Sequence, residues 1–452
     1  MANAEKISII GAGSVQFSMD IVRDIALTPE LKGSEVMFMD TDPERLSMVT
    51  TLAKRFNDEV SADISFKATD NRKEAIEDAR FVVNTALAGG HQLMENERNI
   101  QEKNGYFHGI AVNAPYRQLK LMHDIANDVE QYGKSDTYIL QSANPLTEGC
   151  TIMTRETNAN VIGPCNGFLE YEKILDAIKL PKKGVVYEAP GINHSIWMTK
   201  LQIDGKDLYP DIDKWIDEKA DKYWKSWNPE FDEMQLSPAA IDLYKLYGLM
   251  PIGDTCRASW PEAWWYHTDA DTKKRWWGPR GGHDGEEGWK LHLEWLVERQ
   301  KQIVSAIKNP KVPLVTIFPA VKSREQLVPL INAIVNDNPS SFQINVPNNG
   351  AVPGLPNNFV VEVPAIIDGN GVHVQKIERL PESIMFGVLY PRWIFAERII
   401  AAYKTGDVRF LLQAYLSDNR TQSREQAEKT IIATIEMLGN EEFANKVAAS
   451  NI

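Results

Sequence analysis

The chain has 452 residues, 43% hydrophobic and 25% charged, with 24 Pro and 28 Gly. That is the composition of an ordinary globular protein and excludes bulk disorder. At about 100–200 residues per domain the length holds two or three domains, and a formal net charge of −13 repels phosphate backbones and anionic lipid, so neither nucleic acid nor a membrane is expected as a partner.

Cys150, Cys165 and Cys256 leave one thiol over in any disulfide scheme, and in a chain of this size they read as reduced cysteines. The opening MANAEKISII lacks the basic stretch and apolar run of a secretory leader, and no segment reaches the roughly 20 apolar residues that span a bilayer. A cytoplasmic location is expected.

In chain order, residues 6–10 read as a strand, 17–27 as an amphipathic helix, 36–39 as a strand and 43–56 as a second helix. This is the βαβ rhythm of a parallel sheet. It continues through strands at 81–83, 137–140 and 161–162, with a long helix over 118–132 and another after Glu148. Residues 1–180 are therefore expected to form a Rossmann-like doubly wound domain. Past 181 the pattern changes. A strand over 196–203 looks antiparallel, ten of the twelve Trp fall between Trp215 and Trp295, FQINVPNNG and FVVEVPAIID read as two strands, and the tail after Ser383 reads as helices. Residues 181–452 are expected to form a mixed α+β domain sharing a large interface with the first.

The first chemical signal is Gly11-Ala12-Gly13-Ser14, directly after KISII and opening a helix, with Asp40 closing the next strand, VMFMD. A helix N-terminus offers free N–H groups to a pyrophosphate, and glycine lets the backbone approach it. An acid at the end of the second strand accepts from the adenosine ribose and repels a 2′-phosphate, which favours NAD over NADP. The third fingerprint position holds Gln16 instead of glycine, so the motif counts because strand, helix and acid stand in register.

Ligands of doubly wound sheets sit outside the carboxyl ends of the strands. Asn84 and Thr85, Asn144 and Pro145, and Cys165 and Asn166 each follow a predicted strand. Singly they are turn residues; together they suggest a lined cleft. Cys165 and His194 offer a thiolate and an imidazole to a metal, two ligands where a structural zinc site takes four, with a buried thiol and a core histidine as the alternative. A last cluster, LYKLYGLMPIGDTCRASW, holds Tyr244, Tyr247, Asp254 and Arg257. Asp254 suits a general base, a helix cap or a partner of Arg257. The nearby tryptophans suit either sugar stacking or packing between subunits.

Over nearly its whole length the chain resembles glycoside hydrolase family 4, the NAD- and metal-dependent glycosidases, and within it the α-glucosidase and α-glucuronidase branch. The segments carrying this are KISIIGAGSVQFS, VNTALAGGH, Ala143 to Pro145, GPCNG, GINHSIW, LSPAAIDLYKLYGLMPIGDT, WWYHTDADTKKRWWG and NVPNNGAVPGLPNNFVVEVPA. The resemblance implies a fold like that of lactate and malate dehydrogenases. It also implies hydrolysis in which NAD oxidises C3 of the sugar, a base removes the C2 proton while a divalent metal, usually Mn²⁺, polarises the carbonyl, the aglycone leaves C1, and water adds.

By position, Cys165 and His194 match the metal ligands, Asp254 the base, and Asn144 a substrate contact; Asn144, Asn166, Tyr244 and Tyr247 are expected with Asp254 among the catalytic residues, and Asn144 and Asn166 at the substrate. Gly11, Gly13, Ser14, Asp40, Asn84 and Thr85 fall on the cofactor side. Asn166 stands where the branch has histidine, and an amide cannot donate a proton to a leaving group; Ala111 stands where an aspartate is expected. Arg117 and Arg257 are each able to hold one carboxylate, and no cluster comparable to a phosphate site is seen. The expected substrate is thus an α-linked glucuronide, glucoside or galactoside, and the expected assembly a homodimer or homotetramer. The alternatives are a lactate/malate-type dehydrogenase releasing NADH, a β- or 6-phospho-glycosidase of the same family, and a non-catalytic NAD sensor.

Overall fold

The computed structural model describes residues 4–14, 18–107, 116–230 and 233–438. Its first six strands are β1 (Lys6–Ile10), β2 (Glu35–Met39), β3 (Ser65–Thr69), β4 (Phe81–Asn84), β5 (Tyr138–Gln141) and β6 (Asn160–Pro164). They are all parallel and lie in the order 3-2-1-4-5-6, the doubly wound arrangement that the βαβ rhythm predicts. β1, β2 and β4 are buried along nearly their whole length, because helices cover both faces of a parallel sheet; hence their unbroken apolar runs. β3, with the sequence SFKAT, is not among the predicted strands. It is the edge strand and exposes Ser65, Lys67 and Ala68 to solvent, so its apolar signal is thin.

The intervening helices include Ser18–Ala26, Pro43–Glu59, Tyr116–Tyr132 and Leu146–Glu156. Pro43–Glu59 starts where Pro43 occupies the first turn and the Asp42 carboxylate accepts from the Glu44 and Arg45 amides. The helix expected after Glu148 begins earlier, at Leu146, immediately past Pro145. One further helix, Gly90–Lys103, is also absent from the predicted elements.

The second half supplies β7 (Val185–Glu188), β8 (Gly191–Ile192), β9 (Ser195–Met198), β10 (Lys200–Ile203), β11 (Lys206–Asp207), β12 (Met250–Pro251), β13 (Ser340–Pro347), β14 (Val360–Asp368) and β15 (Gly371–Val374). The single strand expected over 196–203 is two. β9 belongs to the large sheet, whereas β10 pairs with β7 and β11 in a separate three-stranded sheet. FQINV and FVVEV form the expected strands, paired antiparallel from Ser340↔Ile367 to Pro347↔Val360. β13 also pairs with β6 through Ile344↔Pro164 and Asn345↔Gly163.

The two regions are thus joined by more than an interface: one twelve-stranded sheet runs through both, parallel on one side of β6 and antiparallel on the other. The largest apolar cluster likewise mixes Ile7 and Phe38 with Trp197 and Phe342. After Ser383 the described chain is helical, over Tyr390–Thr405, Val408–Leu416 and Arg424–Leu438. Among the described residues no helix is long and apolar enough to cross a membrane.

Candidate active site

The carboxyl ends of β1, β4 and β5 open onto a cavity of about 370 Å³, closed from the other side by the turn between β8 and β9 and by the loop after β12. On the parallel side, Gly11 has φ +79°, and a Cβ there would lie 2.5 Å from the Ala86 Cα. Gly13 donates its N–H to Asp40 Oδ2 at 2.8 Å, and a Cβ on Gly13 would meet that same oxygen. Asp40 Oδ1 accepts from the Asp42 amide at 2.9 Å, so two backbone amides aim the acid at the end of β2. Ser14 and Thr85 line the cavity. Asn84 does not: its Nδ2 donates to Gln141 Oε1 at 2.9 Å and its Oδ1 accepts from the Ala86 amide at 3.1 Å. Being fully buried between two strands, it shapes the loop after β4 instead of touching a cofactor. Gln16 and Ala111 lie outside the described residues.

Opposite these, Asn193 and His194 form the two-residue turn between β8 and β9. His194 has φ +61°, a conformation that costs a non-glycine residue on the order of 1 kcal/mol and marks functional positions. Its Nε2 lies 3.2 Å from Asp254 Oδ2. Asp254 sits in a short 3₁₀ turn, Gly253–Arg257, pinned on both flanks. The Gly253 N–H donates to Gln235 Oε1 at 2.9 Å, and Thr255 Oγ1 accepts from the Ile196 N–H at 2.8 Å. Gly253 has φ +60° and abuts the Gly167 carbonyl, where any Cβ would collide; the sequence GD thus lets this loop approach the end of β6.

Charge sets the chemistry. Burial favours a neutral Asp254, but the His194 imidazole and the Arg257 guanidinium outweigh it and hold the carboxyl below its ordinary range. Burial also keeps the His194 imidazole below its ordinary range, against the opposing pull of Asp254. Near neutral pH this places an ionised carboxylate between an imidazole and a guanidinium.

Four sequence expectations need correction here. Arg257 is not a free fork for a substrate carboxylate, because its Nε and Nη2 both bond Asp284, with Nε–Oδ2 at 2.8 Å, and its Nη1 reaches Asp254 Oδ1 at 3.4 Å. It bridges Asp284 and Asp254. Tyr244 donates to Asp213 Oδ1 at 2.6 Å, and Tyr247 packs edge-on against Trp197. Both belong to the helix Pro238–Tyr247, and neither lines the cavity. Asn166 also lies off the cavity wall; its amide is hydrogen-bonded to the Glu325 carboxyl. Arg117 does line the cavity, as does Asn144. Of the tryptophans, Trp260 and Trp289 line it, while Trp277 donates to the Cys256 carbonyl at 3.0 Å from the core.

The site also contains residues that sequence reasoning does not single out. Arg392 lines the cavity and donates to Glu148 Oε1 at 2.8 Å, and Gln118 holds the loop after β4 through Ala86 O at 3.0 Å and Ala88 N at 2.8 Å. Behind the turn, Asn193 Nδ2 donates to Glu362 Oε2 at 2.8 Å. The EV alternation of β14, with an acid inside an otherwise apolar run, is the one sequence signal for Glu362.

For a dinucleotide, the backbone clearance at Gly11 and Gly13, the presented acid at Asp40 and the continuity through Ser14 and Thr85 into the cavity fit the cofactor's length and charge. For a metal, Cys165 lies behind the cavity wall, its thiol pushed well up by burial and bonded to Asn193. His194 follows Asn193, and Cys165 also lies within reach of the Asp254 charge. Among the described residues no group of three or more His, Cys, Asp or Glu is placed to hold an ion. A thiol and an imidazole are two donors of the kind a borderline-soft divalent ion takes, leaving its other positions open.

Residues 6–180 match the family model of the family 4 glycosyl hydrolases, and residues 189–421 match that of their C-terminal domain. An α-galactosidase of Bacillus subtilis (strain 168) is 30% identical over 226 residues, 48% of this chain and 52% of that protein. An α-galacturonidase of Thermoanaerobacterium saccharolyticum is 23% identical, over 91% of this chain and 90% of its own. A 6-phospho-α-glucosidase from gut microorganisms, solved in complex with NAD and Mn²⁺, superposes with a TM-score of 0.80 at 17% identity, covering 97% of this chain and 99% of that one. A lactate dehydrogenase from Eimeria maxima reaches 0.53 at 13% identity, over 90% and 97%. These two structural likenesses show the fold, which is the dehydrogenase-like one the sequence suggests.

Proposed function

Because the chain belongs to glycoside hydrolase family 4, we propose that this glycosidase cleaves an α-glycoside with NAD and a divalent metal, Mn²⁺, as cofactors. When bound, they would supply oxidation at C3 with its later reversal, and polarisation of the carbonyl so formed. Residues 1–180 hold the nucleotide, through Gly11, Gly13, Ser14, Asp40 and Thr85. Residues 181–452 supply the base and one metal ligand, His194; Cys165 at the end of β6 is the other. The observation that carries this reading is the placement of an ionised Asp254, pinned on both flanks, in one cavity with Ser14, Thr85, Asn144 and His194.

In this scheme Asn144 binds a sugar hydroxyl and Asp254 accepts the C2 proton, with Arg257 fixing the direction of its carboxylate. The cavity's cations argue against a phosphate dianion as the recognised group. Arg98 is engaged by Glu102 at 3.0 Å, Arg257 by Asp284 and Arg392 by Glu148, so their charge is largely answered within the protein. That supports an unphosphorylated galactoside, glucoside or uronide.

The test is hydrolysis in D₂O with added NAD and Mn²⁺. Free sugar carrying deuterium at C2, without net NADH, supports the proposal. Accumulating NADH means a dehydrogenase, and sugar without deuterium means ordinary two-carboxylate hydrolysis. A panel of para-nitrophenyl α- and β-glycosides with their 6-phosphates identifies the ring, and a preference for the phosphates overturns the substrate class while leaving the mechanism standing.

A further inference from the structure

We propose that Glu97 is the acid that protonates the leaving oxygen as the glycosidic bond breaks. The inference rests on the glycosidase reading of the cavity. An elimination that expels an unactivated alkoxide needs a proton donor, and Asn166, which follows the cysteine, is an amide held by Glu325 off the cavity wall.

Among the described residues three carboxyl groups line the cavity: Asp254, Glu148 and Glu97. Asp254 lies between His194 and Arg257, and Glu148 accepts from Arg392 at 2.8 Å. A guanidinium thus stands beside each, Arg257 beside Asp254 and Arg392 beside Glu148. Glu97 differs, since no hydrogen bond or ion pair to it is formed among the described residues.

Its position follows from the helix Gly90–Lys103, which crosses the cavity after β4. Residues at positions 93, 94, 97 and 98 share one face of that helix, and all four line the cavity. Leu93 and Met94 therefore surround the Glu97 carboxyl with apolar surface. The group whose charge bears on it is Arg117, from the helix Tyr116–Tyr132, and the uncharged, buried Tyr415, from Val408–Leu416, lies near it. Burial outweighs the Arg117 guanidinium and pushes the carboxyl up to about 7. A proton-holding carboxyl and an ionised one in the same cavity, driven apart by apolar and cationic surroundings, form the arrangement that separates an acid from a base.

The step balances. Asp254 takes the C2 proton, and the electron pair left at C2 closes the C1–C2 double bond. The C1–O bond breaks, its electrons leave with the aglycone oxygen, and that oxygen receives the Glu97 proton. In the return direction the Glu97 carboxylate takes a proton from the water that adds to C1, restoring the acid, while Asp254 returns its proton to C2.

The experiment compares the full-length chain with Glu97→Gln, both loaded with NAD and Mn²⁺, on the methyl and para-nitrophenyl glycosides of the accepted sugar in D₂O. The methyl glycoside is expected to lose about 10²-fold or more, the scale of a positioned acid. The para-nitrophenyl loss should be at least tenfold smaller, because that anion leaves without protonation, and exchange of the C2 proton of the methyl glycoside should persist. Equal losses on the two glycosides with exchange intact, or no loss on either, would overturn the role of Glu97 alone. Hydrolysis by the unmodified chain without deuterium at C2 would overturn the elimination reading and Glu97 with it. A second measurement needs no variant: rates of the unmodified chain along a series of aryl glycosides should change little with leaving-group basicity, and a steep dependence contradicts an acid in place.

Discussion

The parallel and antiparallel halves of one sheet contribute different kinds of residue to the cavity. The parallel half offers small side chains at strand ends, Ser14, Thr85 and Asn144, with the glycine turn of Gly11 and Gly13 behind them. What matters there is clearance and the direction of N–H groups, which follow from β1, β4 and β5 standing in register. The antiparallel half offers charge held in place by other charge, with Asp254 between His194 and Arg257, and Arg257 in turn on Asp284. A nucleotide needs shape along many atoms, whereas proton removal needs one group aimed at one atom. Substitutions in the two halves should therefore separate cofactor affinity from turnover.

The largest effect is expected at Asp254. Asp254→Asn should lower kcat by about 10²–10⁴, the usual worth of a positioned base, with NAD affinity unchanged by calorimetric titration. Weakened NAD binding of similar size would show that the two halves are not separable.

Gly11→Ala tests the other half. A methyl group within 2.5 Å of the Ala86 backbone, at φ +79°, should destabilise the folded chain by about 1–3 kcal/mol and weaken NAD binding, while leaving the His194–Asp254–Arg257 arrangement in place. Thermal melting with and without NAD reads both. A variant that melts and binds like the parent contradicts the described packing of β1 against the loop after β4.

Asp284→Asn leaves Arg257 with a weaker anchor and less charge to answer it. Since Arg257 acts through Asp254, kcat is expected to fall about tenfold, roughly 1.4 kcal/mol, with KM and NAD affinity little changed. A change in KM alone would return Arg257 to substrate binding.

The smallest effect concerns stability against pH. Burial, against the opposing hydrogen bond from Asn193, raises Glu362 to about 7 from an ordinary 4.5. Between those values the folded chain holds more protons than the unfolded one. The stabilisation is thus fully present below about 4.5 and is lost as pH rises through 7. Melting temperature should decline from pH 5 to pH 8, and Glu362→Gln, neutral throughout, should remove part of that slope. Glu97, Glu262 and Glu325, also raised to about 7 by burial, keep the rest. An identical slope in the variant would mean that Glu362 is ionised in the folded chain.

Local rules reach far into this protein. Strand, glycine turn and acid in fixed order determine Gly11, Gly13 and Asp40, because each acts through backbone geometry set within a few residues. Asn144 and Thr85 follow from the same rule of strand ends. The sequence GD at 253–254, between an apolar turn and Arg257, is enough to mark a carboxylate held in a tight loop. What sequence alone does not determine is direction and partnership. Asn84 and Asn166 stand at or just past a strand end, as Thr85 and Asn144 do, yet one turns into the sheet toward Gln141 and the other toward Glu325. Arg257 spends its fork on Asp284, 27 residues away, and Arg392 reaches Glu148 across 244. Glu97 is one charged residue among several on a polar helix until the fold turns that face onto the cavity. The carboxyl groups that hold a proton differ from those that do not by burial and by the cation beside them, and both are created only when distant segments pack together.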